Sequence, residues 1–480
     1  MVCVVSFLFP VVLIGYLKLF LFCFPPLVKL TFQSLAKFIY KFHIAYLSKM
    51  KVVLLALENP KLVLNKDYAG GFGAGFATGN TLLSKIFRFV RKQNETLPLM
   101  SYGYAGAIFR EEGHNVVAKT NEIVGADLYL IQPSMADCSN ELEYIKRIRK
   151  ETNAKIGVMG PFVKAMLHQF EPYADFIIIG DPESVFIDIA KTGEIPKGSI
   201  QSKEVNLDDL PYPAWDLFDY SKFGNSLLIK GKPAFFVQGS RGCFYRCNYC
   251  PYLVIGDKHK IRKPEKVVDE IEYLIKKYNA KAIIFRDPLF TGIRKNAKAI
   301  AQEIINRGVK INWMCETRLD HLDKEMIDLF HKAGMRTVKV GIESASEEVL
   351  RADNRIPITI KHQEEMINYC DKKHIKVCAF YIVGHPDDTH KTISDTISYA
   401  KRLNTSIANF TVATPYPGTV FYENVKDDIF EKDLNKWDAF HSVFKHKNLS
   451  KEEIESYNDK MFIWYYLRLR YIAAYIRRLF

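Results

Sequence analysis

The sequence predicts an α/β protein built as two parallel-sheet units: an N-terminal doubly wound (Rossmann-like) domain, then a partial (β/α)6 TIM-like barrel. Three observations predict it. Apolar strand-like runs alternate with helical patterns twice, from Met50 to about Ala190 and again from Lys232. Such alternation gives parallel strands with helices on their faces. A stretch with two prolines, Leu210-Pro211-Tyr212-Pro213-Ala214-Trp215, divides the two series. Three clustered cysteines follow directly on the first strand of the second series.

Composition sets the bounds. The 480 residues are 48% hydrophobic and 13% aromatic, too apolar for a disordered chain and long enough for two or three domains. Lys and Arg number 67 against 54 Asp and Glu, a net charge of +13 spread along the chain. A diffuse excess fits an anionic substrate or a membrane surface, and with no dense basic run nucleic acid is not an expected partner. The nine cysteines are odd in number and only three are clustered, which argues against a secreted disulfide framework. They point to a reduced, cytoplasmic setting with one metal-ligand group.

Residues 1–49 are an apolar leader. From Val2 to Leu17 there is no charge, and the run to Pro25 is just long enough to span a bilayer with Lys18 snorkelling. It lacks the basic start and small-residue cleavage site of a signal peptide. Three readings stand open: a membrane anchor, a buried helix, or sequence upstream of a working start at Met50. The third draws on Met50–Pro60, which reads as the first strand of an α/β domain running into its loop.

Residues 50–202 form the first unit. Val52–Leu57, Asn115–Ala118, Asp127–Gln132, Lys155–Met159 and Phe176–Ile179 read as strands. Leu97–Gly113, Asn140–Thr152 and Glu183–Lys191 read as helices. Such sheets bind ligands at the carboxyl ends of their strands. The loops there are Gln132-Pro133-Ser134-Met135, Gly160-Pro161-Phe162 and Gly180-Asp181-Pro182-Glu183, and the simplest reading is that their glycines and prolines only end strands. Gly70, Gly71, Gly73, Gly75 and Gly79 fall in one loop, with a less regular stretch from Asn80 to Thr96 behind it. Without a Gly-Lys-Ser/Thr ending, the loop reads as flexible or ligand-facing rather than as a phosphate cradle. Residues 203–228 form a linker, extended by its prolines and expected in a surface groove between the domains.

Residues 229–448 form the second unit. Its strands are Ala234–Gln238, Ala282–Arg286, Lys310–Cys315, Thr337–Ile342, Val377–Val383 and Asn409–Thr414. Its helices are Glu265–Tyr278, Lys295–Arg307, Asp323–Ala333, Ile360–Lys373 and Asp387–Leu403, with Asp323 and Asp387 as helix-start residues. Val268, Ile271, Leu274 and Ile275 share one face of the first helix. In barrels the chemistry sits on loops after the strands.

The cysteines lie in Gly239-Ser240-Arg241-Gly242-Cys243-Phe244-Tyr245-Arg246-Cys247-Asn248-Tyr249-Cys250-Pro251, spaced C-x3-C-x2-C. Three thiolates in one loop can hold three corners of a cuboidal iron–sulfur cluster and leave one iron open. The competing reading is structural zinc, which wants four ligands. His259, between Lys258 and Lys260, is the nearby candidate and reads better as a solvated surface residue.

The triplet, with aromatic Tyr249 before its last cysteine, resembles the radical S-adenosylmethionine (radical SAM) superfamily. The resemblance covers about Lys232 to Asn424 and implies a 4Fe–4S cluster on Cys243, Cys247 and Cys250. It also implies S-adenosyl-L-methionine on the open iron, cleaved to methionine and a 5′-deoxyadenosyl radical, with Tyr249 against the adenine. The loops after successive strands then supply cofactor contacts: Asp287 to the methionine amino group, Glu316 and Arg318 to carboxylate or ribose, Glu343 to ribose or amino group. Each alone is unremarkable, since Glu316 and Arg318 would also make an ion pair and Asp287 a turn. The first unit resembles the cobalamin-binding domain of the subclass that holds methyltransferases and the anaerobic magnesium-protoporphyrin monomethyl ester cyclase type. That implies cobalamin as a further cofactor, although the Asp-x-His-x-x-Gly motif is absent, and a degenerate domain kept for packing is the other reading. The activity implied is methylation of an unactivated carbon. Its alternatives are oxidative cyclisation and a non-catalytic metal-bearing scaffold.

Residues 449–480 form a helical tail. Arg470, Arg477 and Arg478 fall near one face of Met461–Arg478, with aromatic and aliphatic residues elsewhere. The pattern suits an interfacial helix on an anionic membrane or a helix packed back on the barrel. With the leader, it gives the only hint of a lipid-like or isoprenoid small-molecule substrate. The expected electron donor is of the flavodoxin or ferredoxin kind, as the resemblance implies. The expected location is cytoplasmic, with a membrane surface as the other candidate setting.

Overall fold

The computed structural model describes residues 49–479 except 60–63, 68, 76–94, 97, 226 and 256–257. The leader, apart from Lys49, lies outside the described residues, as do Gly79 and most of Asn80–Thr96.

The first unit is one six-stranded parallel sheet. Its elements are β1 (Lys51–Ala56), α1 (Met100–Glu111), β2 (Asn115–Thr120), β3 (Leu128–Ile131), α2 (Cys138–Glu151), β4 (Lys155–Met159), β5 (Phe176–Ile179), α3 (Glu183–Thr192) and β6 (Gly198–Gln201). The strand order is β2-β1-β3-β4-β5-β6, so the winding reverses beside β1. Val52 to Leu55 are all fully buried, as a central strand covered on both faces must be. Val52 and Leu54 pack in the layer of Phe109 and Phe186 from α1 and α3. Val53 and Leu55 pack in the layer of Ile145 and Ile148 from α2. Sequence reasoning missed β6, because Gly-Ser-Ile-Gln at a sheet edge carries no apolar run.

The linker lines an open groove between the two units, where Pro211 and Tyr212 lie between Arg110 of α1 and Lys277 of the helix Pro264–Tyr278, but it is not confined to the surface. Trp215 is fully buried, with its ring 5.8 Å from Phe223 and 6.4 Å from Phe235. The Ala214 N–H donates to the Gly103 carbonyl at 2.9 Å. A Cβ on Gly103 would stand 2.7 Å from Pro213, so α1 needs glycine where the linker crosses it. The prolines extend this segment, but Trp215 makes it a wedge that joins the cores of the two units.

The second unit is a second parallel sheet with its six strands in sequential order. They are β7 (Ala234–Val237), β8 (Ala282–Phe285), β9 (Asn312–Thr317), β10 (Met335–Glu343), β11 (Lys376–Val383) and β12 (Ile407–Val412). Between them lie α4 (Pro264–Tyr278), α5 (Arg294–Asn306), α6 (Lys324–Lys332), α7 (Ile360–Lys372) and α8 (His390–Leu403). Asp323 caps α6, accepting from the Met326 N–H at 2.7 Å. Asp387 does not start α8: Thr389 does, through a reciprocal bond pair with Thr392, and Asp387 instead takes Lys447 at 2.7 Å. On β10, Val338, Val340 and Ile342 are buried in the helix layer, which leaves Lys339, Gly341 and Glu343 on the inner face.

The tail is two helices rather than one, α9 (Lys451–Tyr466) and α10 (Leu469–Leu479). Ser450 and Glu453 form the capping box of α9. The Tyr465, Tyr466 and Tyr471 hydroxyls donate to the Thr405, Ala408 and Ser406 carbonyls, which binds the tail to the start of β12. No helix among the described residues is long and apolar enough to cross a membrane.

Candidate active site

The cysteine loop leaves β7 and is braced on three sides. Below it, Asp287 accepts from the Gly239 N–H at 2.9 Å and the Ser240 hydroxyl at 2.6 Å. Beside it, Gly242 has φ +88, and a Cβ there would collide with the Lys258 carbonyl. On its far side, the turn after the short helix Glu347–Ala352 holds the backbone. The Asn248 N–H donates to the Asp353 carbonyl at 2.9 Å, and its amide to Ala352 at 3.1 Å. The Asn354 amide donates to the Arg246 carbonyl at 2.8 Å.

Cys243, Cys247 and Cys250 are all free thiols, and Cys247 is buried. Burial pushes the Cys243 and Cys250 thiols up. A thiol in that setting is deprotonated readily only by coordinating a metal. The Arg355 guanidinium lies within electrostatic reach of Cys247, and the Arg318 and Arg355 charges both act on Cys243. Three thiols on one fixed loop, facing guanidinium charge, fit an anionic cluster better than a closed zinc site. Among the described residues no three or more His, Cys, Asp or Glu side chains converge on a single ion. His259 does not join the cysteines and is not solvated: it is half-buried, its ring 5.6 Å from that of Phe244, and burial lowers its pKa.

The expected contact residues fall into two groups. Tyr249, Arg318 and Glu343 gather around the cysteines. The Tyr249 hydroxyl is buried without a hydrogen-bond partner, and its ring stands edge-on to His385 at 5.6 Å. Arg318 is buried, bonded to both Asp320 oxygens at 3.0 and 2.9 Å, with its guanidinium 4.4 Å above the Tyr245 ring. Its Nη1 has no partner. Glu343 ends β10 at φ +64, a left-handed conformation unusual outside glycine, and lies 3.5 Å from Arg355. Burial raises its pKa against the Arg355 charge.

Asp287 lies beneath the cysteine loop, and Glu316 lies one strand over from Glu343, on whose carboxyl its charge acts. Asp287 is 1% exposed and spends both oxygens on the base of the cysteine loop, and burial pushes its pKa up to about 7. Glu316 faces the barrel interior and pairs with Lys339 at 2.9 Å, the Lys339 ammonium lying 5.3 Å from the centre of the Phe380 ring.

Sequence reasoning missed Arg355 and the buried His385–Asp353 pair, whose partners come from separate loops. It also missed how the two units meet. Arg241 donates to both Glu183 oxygens at 3.1 and 3.0 Å and lies 3.4 Å from Asp181. Lys260 reaches Asp181 at 3.1 Å. Arg286, after β8, pairs with Asp67 of the first unit and donates to the Tyr252 hydroxyl at 2.9 Å. The loop Gly180-Asp181-Pro182-Glu183 therefore does more than end a strand. The carboxyl ends of the two sheets face one another, with the cysteine loop between them. At that end of the first sheet Gly71 and Gly160, at φ +94 and +111, are packed closely on Pro161 and Gln132: a Cβ on either would come within 3.2 and 3.0 Å of those side chains. Of the described histidines of this unit, His114 bonds the Met50 N–H ahead of β1, at the opposite end of the sheet, and His168 is exposed in the helical turn that follows β4.

Comparisons with known proteins agree with this geometry. A family model described as the radical SAM superfamily matches residues 237–400. An uncharacterized methyltransferase of Pyrococcus horikoshii is 29% identical over 68% of this chain and 75% of its own. The anaerobic magnesium-protoporphyrin IX monomethyl ester cyclase of Rubrivivax gelatinosus is 25% identical over 74% of this chain and 69% of its own. Among solved structures, the radical S-adenosylmethionine methyltransferase TsrM of Kitasatospora setae shares the fold, with TM-score 0.59, 16% identity and 79% and 76% of the two chains covered. The cobalamin-dependent S-adenosylmethionine radical enzyme OxsB follows, with TM-score 0.55, 16% identity and 78% and 54% covered. Residues 237–400, with the cysteine loop and most of the partial barrel, are thus a radical SAM domain, and the chain is an enzyme of that kind.

Proposed function

We propose that the chain is a cobalamin-dependent radical SAM methyltransferase acting at an unactivated carbon of a small molecule. The observation that carries this is the pairing of the two sheet ends through Arg241, Glu183 and Asp181, which brings the carboxyl end of the first sheet to the cysteine loop. Cys243, Cys247 and Cys250 would hold a 4Fe–4S cluster, which would supply the electron for cleavage of S-adenosylmethionine to methionine and a 5′-deoxyadenosyl radical. The carboxyl end of the first sheet, near Gly71, Gly160 and Gln132, would hold cobalamin, which would supply the methyl group.

This chain's own residues position the reactants. Arg355 and Arg318 offset the negative charge of the thiolate site, and the unpaired Nη1 of Arg318 is free to take a carboxylate. Glu343 accepts from a hydroxyl or ammonium group. Tyr249 gives an aromatic edge for adenine. Lys339, Glu316 and Phe380 lie deeper in the barrel, where a substrate with an anionic group and a flat apolar part would sit. The electron comes from a flavodoxin- or ferredoxin-type donor.

The test is anaerobic reconstitution with iron and sulfide, then S-adenosylmethionine and a strong reductant, with and without cobalamin. Wild type should form 5′-deoxyadenosine and retain cobalamin by its absorption spectrum, and Cys247→Ala should form none. A competent cluster without 5′-deoxyadenosine, even with candidate substrates, would overturn the reading. The Rubrivivax relative favours oxidative cyclisation as the second reading. Labelled S-adenosylmethionine decides: methyl transfer moves the label into the product, and cyclisation does not.

A further inference from the structure

Helix α10 turns its apolar side away from the protein. Its inward residues are Tyr471, bonded to the Ser406 carbonyl, and Arg478, which shares Asp371 with Arg477 at 2.7 and 2.6 Å. On the outer side Leu469 is 85% exposed and Ile472 42%, next to exposed Leu467 and Tyr475. Trp464, near the end of α9, is exposed as well, with the Lys401 ammonium 5.2 Å from its ring centre. A single exposed leucine is ordinary, but five large apolar side chains between 464 and 475 form a patch.

Charge says what the patch suits. From Lys460 to Phe480 the chain holds Lys460, Arg468, Arg470, Arg477 and Arg478 and no Asp or Glu. In helical projection Arg470 and Arg477 fall together on one edge of the apolar strip, Arg477 also pairing with Asp371. Aliphatic residues outward, arginines along the edge and Trp and Tyr at the rim are the pattern of a helix lying in a bilayer interface.

We propose that α10 docks the protein on an anionic lipid surface, lying in the headgroup layer without crossing it. The tail is tied to Thr405, Ser406 and Ala408 at the start of β12, the end of the barrel opposite the cysteine loop. The docked protein therefore turns its active site away from the lipid. The membrane holds the enzyme and does not feed it, so this inference stands apart from the proposed reaction.

The test is co-sedimentation of the full chain with vesicles of phosphatidylcholine alone and of phosphatidylcholine mixed with phosphatidylglycerol. Wild type should bind the mixed vesicles more tightly, and less so in high salt. Leu469→Ser/Ile472→Ser should weaken binding by at least about tenfold at an unchanged melting temperature. Arg470→Glu should narrow the gap between the two vesicle types. Wild type that ignores the mixed vesicles overturns the proposal, and so does a double variant that binds them equally well. A wild-type dimer that the double variant converts to monomer also overturns it, assigning the patch to a second copy.

Discussion

Arg241, two residues ahead of Cys243, grips both carboxylate oxygens of Glu183 across the junction of the two units. Glu183 is 2% exposed, so removing the guanidinium leaves a buried charge without its partner. Arg241→Met should cost about 3–5 kcal/mol of stability by that mechanism. It should also loosen cobalamin, because the two sheet ends lose their two-pronged ion pair. Glu183→Gln keeps part of the hydrogen bonding and should cost less. Denaturant unfolding and gel filtration with cobalamin measure both effects, and an Arg241→Met variant as stable as wild type would contradict the assignment.

Arg355 stands against Cys247, Tyr249 and Glu343 at once. Arg355→Gln removes the positive charge nearest the cluster ligands, so the reconstituted cluster should become harder to reduce. Arg355→Lys keeps the charge but loses the fork that also reaches the Gly341 carbonyl at 2.6 Å, and should fall between. A redox titration followed by electron paramagnetic resonance orders the three proteins. Equal potentials would show that Arg355 only packs.

How much of this was legible in the sequence follows from distance along the chain. The cysteine loop is local, so its spacing alone was enough to single out Cys243, Cys247 and Cys250 as candidate ligands. The central strands were legible because burial on both faces leaves an unbroken apolar run, as in Val52–Leu55. Strand positions also located Asp287, Glu316, Arg318 and Glu343 at the right end of the barrel, but periodicity does not say where each side chain points. Asp287 turned out to brace Ser240, and Glu316 to pair with Lys339. Arg241 and Glu183 are 58 residues apart, and buried ion pairs look like solvated charges until the fold joins them. Trp215 was hidden for a related reason: its site exists only because Gly103 lets α1 approach.

Gly341 makes room for the Glu343–Arg355 pair. A Cβ there would collide with the Glu343 Oε1 and press on the Arg355 Nη2 at 3.0 Å. Both are the far ends of flexible side chains, so the fold can yield while the pair cannot stay in place. Gly341→Ala should therefore cost less than about 2 kcal/mol of stability. It should weaken S-adenosylmethionine binding by at least about tenfold, the worth of one displaced charged hydrogen bond. Equilibrium binding to the reconstituted protein measures this, and unchanged affinity would remove Glu343 and Arg355 from the cofactor site.

Asp287 links the cysteine loop to pH. Burial raises its pKa from 3.8 to about 7, so the native protein keeps a proton that the unfolded chain has already lost through this range. Its contribution to stability is full below 3.8 and declines as pH rises through about 7. Asp287→Asn keeps an acceptor for the Gly239 N–H and cannot ionise, so stability should fall less steeply with rising pH across that window. The slope will not vanish, because Glu141, buried beside Lys66, is also raised to about 7, chiefly by burial, and adds the same sign. Urea unfolding midpoints at several pH values compare the two proteins. An identical pH dependence in Asp287→Asn would mean that Asp287 is ionised in the native state, held by the Gly239 N–H and the Ser240 hydroxyl.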